Sequence, residues 1–286
     1  MPDVIALQLL QMDILKEKMK QDDRYTLATG ELGAHRLSIL NKVHKPYTEF
    51  LLQRVGLEAG MVVADIGCGT GNVSNWLAQQ VGDNGSVFGV DISAEQLEQA
   101  RKNAKVEGLS NVTFSLGSAY ATGLPLESFD LVYCRFLLMH LTQPTDALNQ
   151  MQSLLKPGGI LVCEEADFSC TFCDPPSRAY ERCFELFMTI SDIRGQHFRL
   201  GATLYRFFMD VGLANSEVCL FQPVVLHQDN KRLIDLSLFE AVDALIEAGI
   251  TTPQEIDQTI TQIRALAADE KTVFGIPRVT QVWARK

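Results

Sequence analysis

Short apolar runs alternate with stretches in which apolar residues recur at helical spacing. MVVADIG (61–67), GSVFGVDI (85–92), NVTFSLG (111–117), FDLVYCRF (129–136) and GGILVCEEAD (158–167) read as strands, rich in β-branched and aromatic residues and bounded by turn formers. NVSNWLAQQV (72–81), SAEQLEQARKNAKVEG (93–108) and TQPTDALNQMQSLLKPG (142–158) read as helices between them. Ser93 is the predicted N-cap of the second helix, and Pro157-Gly158 the predicted stop of the third. Two later segments, SEVCLFQPVVL (216–226) and IPRVTQVWARK (276–286), add strands. Strand–helix alternation of this kind predicts an α/β fold with a doubly wound, mostly parallel, seven-stranded sheet.

Further helices flank that core. Ile5, Leu9, Met12, Leu15 and Met19 form an amphipathic stripe, and residues 1–58 read as an N-terminal helical lid. Residues 59–286 form the main domain, with helices over 177–190 and 202–213 and a helical insertion at about 230–270 made of 231–249 and 252–269. There is no internal repeat and no low-complexity linker.

Composition narrows the partners. The 286 residues carry a net charge of −10, which opposes a nucleic-acid surface because phosphate binding needs clustered cations. No apolar run approaches the roughly 18 residues of a spanning helix. The first apolar stretch contains acids and has its lysines at the end, the reverse of a secretory signal. Seven scattered cysteines, an odd number, suit reduced thiols, so the expected location is cytoplasmic; a homodimer is compatible with all of this. The lone C-x-x-C pair, Cys170 and Cys173, has no second pair at zinc-site spacing, so no metal is expected.

The chemistry is concentrated at VVADIGCGTGN (62–72). Ligands of open parallel sheets bind beyond the C-terminal strand ends, where Gly67, Gly69 and Gly71 let the backbone turn and approach closely. Asp91 follows at the next strand end, with the spacing of a carboxylate that holds ribose hydroxyls. These residues indicate an adenosine-containing ligand. Asp65, just before the loop, discriminates further. A pyrophosphate there would place like charges about 4 Å apart, a repulsion of about 1 kcal/mol in water and about 4 kcal/mol at an effective dielectric of 20. No Lys or Arg lies between Met61 and Gln80 to offset it, and the P-loop pattern for ATP is absent. S-adenosylmethionine has no phosphate and carries a cationic amino group and sulfonium, which suits Asp65.

VADIGCGTGN resembles the first motif of class I S-adenosylmethionine-dependent methyltransferases, and VFGVDIS resembles their second. GSAYATGLPLESFDLVYCRFLLMHL and LLKPGGILVCEE are similar to their later motifs in order and spacing. The resemblance covers about 60–170 and is nearest the small-molecule branch, including quinone-biosynthesis C-methyltransferases. It implies that Asp65 and the loop Gly67, Cys68, Gly69, Gly71 and Asn72 hold the methionine part, while Asp91 holds the ribose. Ile92 would cover the adenine face, Ser118 and Ala119 would meet its edge, and Arg135 would sit near the methionine end. The family often has Asp where Ser118 stands, so a charged contact to the adenine amine is missing here. The implied activity is methyl transfer to a small organic acceptor, leaving S-adenosylhomocysteine; the alternative is a cofactor-binding protein with a regulatory or non-methylating role.

Methyl transfer depends chiefly on orientation and exclusion of water, and needs a general base only where the acceptor holds its proton at neutral pH. His140, beyond the fourth strand, is a candidate base or a lining residue. Glu165 and Asp167, with Glu164 beside them at the fifth strand end, are candidates to reach the acceptor. Tyr25, Arg36 and His197 are candidates for the acceptor side or its lid, and Phe207, Phe208, Leu238 and Phe239 for an apolar wall.

Overall fold

The computed structural model describes residues 31–286, so Tyr25 and the amphipathic stripe from Ile5 to Met19 lie outside the described residues. It begins with a long helix, α1 (Glu31–Arg54), followed by β1 (Val62–Ile66), α2 (Asn72–Val81), β2 (Ser86–Asp91), α3 (Ala94–Val106), β3 (Val112–Leu116) and β4 (Phe129–Arg135). Then come α4 (Pro144–Leu154), β5 (Leu155–Asp167), β6 (Phe172–Asp174), α5 (Arg178–Ile193), α6 (Leu204–Asp210), β7 (Glu217–Phe221) and β8 (Val224–Val225). Three helices, α7 (Gln228–Glu240), α8 (Val242–Glu247) and α9 (Pro253–Ala268), precede β9 (Val273–Gly275) and β10 (Arg278–Arg285).

Seven strands form one sheet in the order β3-β2-β1-β4-β5-β10-β7. The first five pair in parallel, and β10 runs antiparallel to both β5 and β7. The chain reverses direction of winding between β1 and β4, which opens a crevice at the carboxyl ends of these strands. Helices cover both faces, so the central strands are apolar on both sides; Val63, Ala64, Leu131, Val132, Leu161 and Val162 are all fully buried. Local signals set the helix starts. Ser93, Ser177 and Thr252 each accept a hydrogen bond from a backbone N–H three residues on, and Pro144 and Pro253 occupy first turns.

Three boundaries and one small sheet differ from the sequence reading. The helix predicted to reach Gly158 ends at Leu154, and β5 starts at once. Pro157 disfavours helical geometry at Lys156, so the stop falls earlier than the proline itself. The run 216–226 breaks at Pro223 into β7, at the edge of the large sheet, and β8. The run 231–249 divides at Ala241 into α7 and α8. Finally, β6, β9 and β8 make a separate three-stranded antiparallel sheet whose strands are too short to leave a periodic signature. Among the described residues, no helix is long and apolar enough to cross a membrane.

Candidate active site

The crevice holds a cavity of about 310 Å³. Its floor is the loop after β1. Gly67 and Gly69 have φ of 74° and 54°, a region that side chains disfavour. A Cβ at Gly67 would lie 2.9 Å from Leu137 Cδ1, so the absent side chain also leaves room for the loop after β4. Gly67 and Cys68 donate their backbone N–H groups to the Val90 carbonyl, at 2.7 and 3.1 Å, which locks the loop against β2.

Asp91, at the end of β2, accepts from the N–H of Gly69 at 2.8 Å through one oxygen and from that of Ser93 at 2.9 Å through the other. Each carboxylate oxygen can accept more than one hydrogen bond, so capacity remains for ligand hydroxyls. Burial raises the Asp91 pKa against the lowering effect of these N–H groups. Asp65 is 2% exposed and accepts from Ser74 Oγ, on α2, at 2.5 Å. Burial raises its pKa to about 6; the Ser74 bond and Arg135 act in the opposite direction, and Asp91 adds to the rise. Burial, with Asp65 and Asp91 nearby, pushes the Cys68 thiol well above its usual range, so it is an inert lining group.

The structure brings Asp65, Gly67, Cys68, Gly69, Asn72, Asp91, Ile92, Ser118, Ala119 and Arg135 together on this cavity's wall. Ile92 is 44% exposed there, an apolar face held open at the crevice. Gly71 departs from expectation because it does not line the cavity. A Cβ there would meet Phe114 Cζ at 2.9 Å and Ala100 Cβ at 3.0 Å, so its smallness lets α2 start against β3 and α3. Arg135 lines the cavity and also donates to Thr48 Oγ1 at 3.0 Å and Asn41 Oδ1 at 3.1 Å, fastening α1 over the site.

The candidate acids fare differently. Glu165 is fully buried, and its carboxylate accepts from the N–H groups of Leu137, Leu138 and Met139. It therefore caps the short 3-10 turn Leu138–His140 and is not among the residues lining the cavity. Burial pushes its pKa up to about 8 against those three donors. Asp167 is also buried, accepting from the Ser169 N–H and hydroxyl, from Cys170 Sγ and from Arg278 Nη2. It joins β5 to the chain beyond and is not among the residues lining this cavity. Alternation along β5 sends Glu164 to the opposite face, where Thr48 Oγ1, Tyr133 Oη and Gln281 Nε2 donate to it at 2.7, 2.5 and 2.7 Å.

His140 stands where the first cavity meets a second, of about 100 Å³. Burial, then the charge of Arg36, lowers its pKa to about 3, so it is neutral at physiological pH. Arg36 lines the second cavity and donates through Nε to Glu240 Oε2 at 2.7 Å, joining α1 to α7. His197 is not among the residues lining either cavity; its backbone N–H supports the 3-10 turn by donating to the Met139 carbonyl at 2.8 Å. Phe208 and Leu238 belong to the core, Phe207 packs at its edge and Phe239 is exposed, so the expected apolar wall is made by other residues. Phe168, Phe184, Phe187 and Phe198 form it, together with His44 from α1. An aromatic enrichment over 168–198 is visible in the sequence, but its helix-spaced members look like ordinary core until the elements are assembled.

The chain resembles known proteins over the same region. It is 34% identical over 122 residues to a demethylmenaquinone methyltransferase of Geobacillus kaustophilus, covering 43% of this chain and 52% of that one. It is 30% identical over 190 residues to a ubiquinone/menaquinone biosynthesis C-methyltransferase of an Enterobacter species, covering 61% and 75%. Against the first curated relatives, the chain spans about half of their length. A phosphoethanolamine N-methyltransferase of Haemonchus contortus, solved with S-adenosyl-L-methionine, shares the fold with a TM-score of 0.52 at 17% identity, over 88% of this chain and 52% of that one. A family model described as a methyltransferase domain matches residues 57–201, half of the sequence and all of the parallel sheet with its glycine loop, and the chain belongs to that family.

Proposed function

We propose that this protein transfers a methyl group from S-adenosylmethionine to a small organic acceptor. The observation that carries the reading is that opposite charges line the larger cavity. Asp65 and Arg135 both line it, and the guanidinium acts on the Asp65 carboxyl. A cation and an anion on one cavity wall suit a zwitterionic amino-acid head, while Asp91 and the apolar face of Ile92 suit a ribose and a flat base. Asp91 accepts from the loop N–H groups with lone pairs to spare, and the loop glycines leave the backbone open to the ligand.

When bound, the cofactor supplies an activated methyl group on a positively charged sulfur. The protein's own contribution is orientation and exclusion of water. Asp65 and Arg135 fix the head, Asp91 fixes the ribose, and α1 roofs the site through Leu37 and Leu40. Glu165 and Asp167 are fully engaged in the scaffold, so neither is available as the base. Calorimetry with S-adenosylhomocysteine tests the reading. Asp65→Ala and Asp91→Ala are each expected to weaken binding by about 1–3 kcal/mol, the range for losing charge-assisted hydrogen bonds. Wild-type protein that gives no binding heat at millimolar ligand overturns the proposal.

A further inference from the structure

The second cavity adjoins the first and shares Leu40, Phe136 and His140 with it. Five phenylalanines, at 136, 168, 184, 187 and 198, make it an aromatic chamber. Their rings meet one another at angles, with Phe168 at 5.7 Å from Phe184, 5.8 Å from Phe187 and 5.0 Å from Phe198. Such a packed aromatic wall is rigid and shaped for a flat apolar body.

The polar groups of the chamber are Arg36, His44, His140 and Ser237, and no Asp or Glu is among its described lining residues. Ser237 Oγ donates to the Leu233 carbonyl at 2.7 Å, and Arg36 to Glu240. His44 is different. It is 2% exposed, and its Nδ1 lies 2.8 Å from the Leu40 carbonyl. A carbonyl oxygen only accepts, so Nδ1 carries the hydrogen and Nε2 keeps its lone pair. The ring is held edge-on to Phe136 at 4.9 Å and to Phe221 at 6.1 Å, so this tautomer has a fixed orientation. Burial and the nearby Arg135 keep it neutral.

We infer that the chamber is the methyl-acceptor site, that His44 Nε2 accepts a hydrogen bond from the acceptor, and that the acceptor is a neutral planar molecule bearing a hydroxyl or ring N–H. The inference rests on the methyltransferase reading above and deepens it. A protonated amine finds no carboxylate among the described lining residues, and Arg36 already holds Glu240, so burying the amine there is unfavourable. A phenol-like donor gains the partner that His44 offers while its ring fills the aromatic volume. A buried acceptor left without a donor carries a penalty, so an isosteric ring lacking the hydroxyl binds less well.

The test uses phenol, toluene and benzylammonium as probes on the full chain saturated with S-adenosylhomocysteine, read by calorimetry and by the 15N shift of His44. Phenol is expected to bind about five- to fifty-fold more tightly than toluene, the ratio of a satisfied to an unsatisfied buried acceptor. Benzylammonium is expected not to bind. In His44→Phe, which keeps an aromatic ring, the phenol preference should vanish while toluene still binds. Where that variant also loses S-adenosylhomocysteine and so has lost its fold, His44→Gln decides, because its amide oxygen restores an acceptor and with it part of the preference. Equal binding of phenol and toluene, no binding of phenol, a preference that survives in His44→Phe or is absent in a folded His44→Gln, or benzylammonium binding as tightly as phenol each overturns the inference. Wild-type protein that binds S-adenosylhomocysteine yet shows no phenol preference sinks this inference alone; failure to bind S-adenosylhomocysteine sinks the methyltransferase reading as well.

Discussion

The two cavities share a wall but are built on different plans. The larger is made largely of backbone and small residues in the loops after three consecutive strands, at 65–73, 90–93 and 117–119. The smaller is made of side chains gathered from α1, the end of β5, α5, α7 and the segment before β10, from Arg36 to Pro277. A cradle for a constant ligand can be set by strand ends and left-handed glycines, because the sheet alone positions it. A chamber for a variable acceptor is set by whichever side chains the added helices bring over the sheet. The first plan confines its information to a few residues in sequence; the second spreads it over the whole chain.

A single polar cluster beneath both cavities gives the sharpest test of how separate they are. Glu164 takes hydrogen bonds from Thr48, Tyr133 and Gln281, and Thr48 in turn accepts one from Arg135. Tyr133 and Arg135 line the larger cavity, while the helix that carries Thr48 supplies His44 and Arg36 to the smaller. Glu164→Ala leaves three donors short of their buried partner, a loss of about 3–5 kcal/mol in stability. Urea unfolding should show a lowered midpoint with an unchanged slope. Glu164→Gln, which keeps an acceptor, should lose less. A Glu164→Ala midpoint equal to wild type breaks the idea that one buried carboxylate fastens α1 to the sheet.

Next in size is Gly67→Ala. The residue has a φ of 74°, and a Cβ would press on Leu137, which precedes the 3-10 turn carrying His140. Holding a non-glycine residue in that region costs about 1–3 kcal/mol. The comparison predicts a directional result: weaker S-adenosylhomocysteine binding together with a shifted His140 resonance, because the loop after β1 abuts the wall that the cavities share. A change in cofactor affinity with the His140 signal unmoved would show the plans to be independent at this point.

How much of this was legible follows the same division. The strands from 61 to 136, the N-cap at Ser93, and the cavity residues from Asp65 to Ala119 lie close together in sequence and carry local signals. The chamber does not. His44 lies within α1 and looks like any helical histidine; only its bond to Leu40 and the approach of Phe136 give it a defined tautomer and place. Strand alternation puts Glu165 and Asp167 on the same side of β5 but says nothing of what waits there, which is a turn of N–H groups for one and Arg278 for the other. Gly71 was read with its neighbours as a ligand contact because spacing cannot separate a glycine that admits a ligand from one that admits a helix.

The smallest effect isolates the charge argument on which the larger cavity depends. Without ligand, Asp65 titrates at about 6, raised chiefly by burial. Its folded-state value thus lies above that of an exposed aspartate, and ionising it is opposed until a cation arrives. The amino group of S-adenosylhomocysteine favours the ionised form, so binding below pH 6 must expel a proton. Affinity should therefore rise with pH by up to about tenfold per unit below pH 6 and level off above it. His44 and His140, each lowered to about 3, contribute nothing in this window. Asp91 is also raised by burial, so the control is Asp65→Asn, which should flatten most of the slope while weakening binding at pH 7. Calorimetry from pH 5 to 8 in two buffers of different ionisation enthalpy counts the protons released. If wild type and Asp65→Asn show the same slope, the carboxylate of Asp65 is not what meets the amino group.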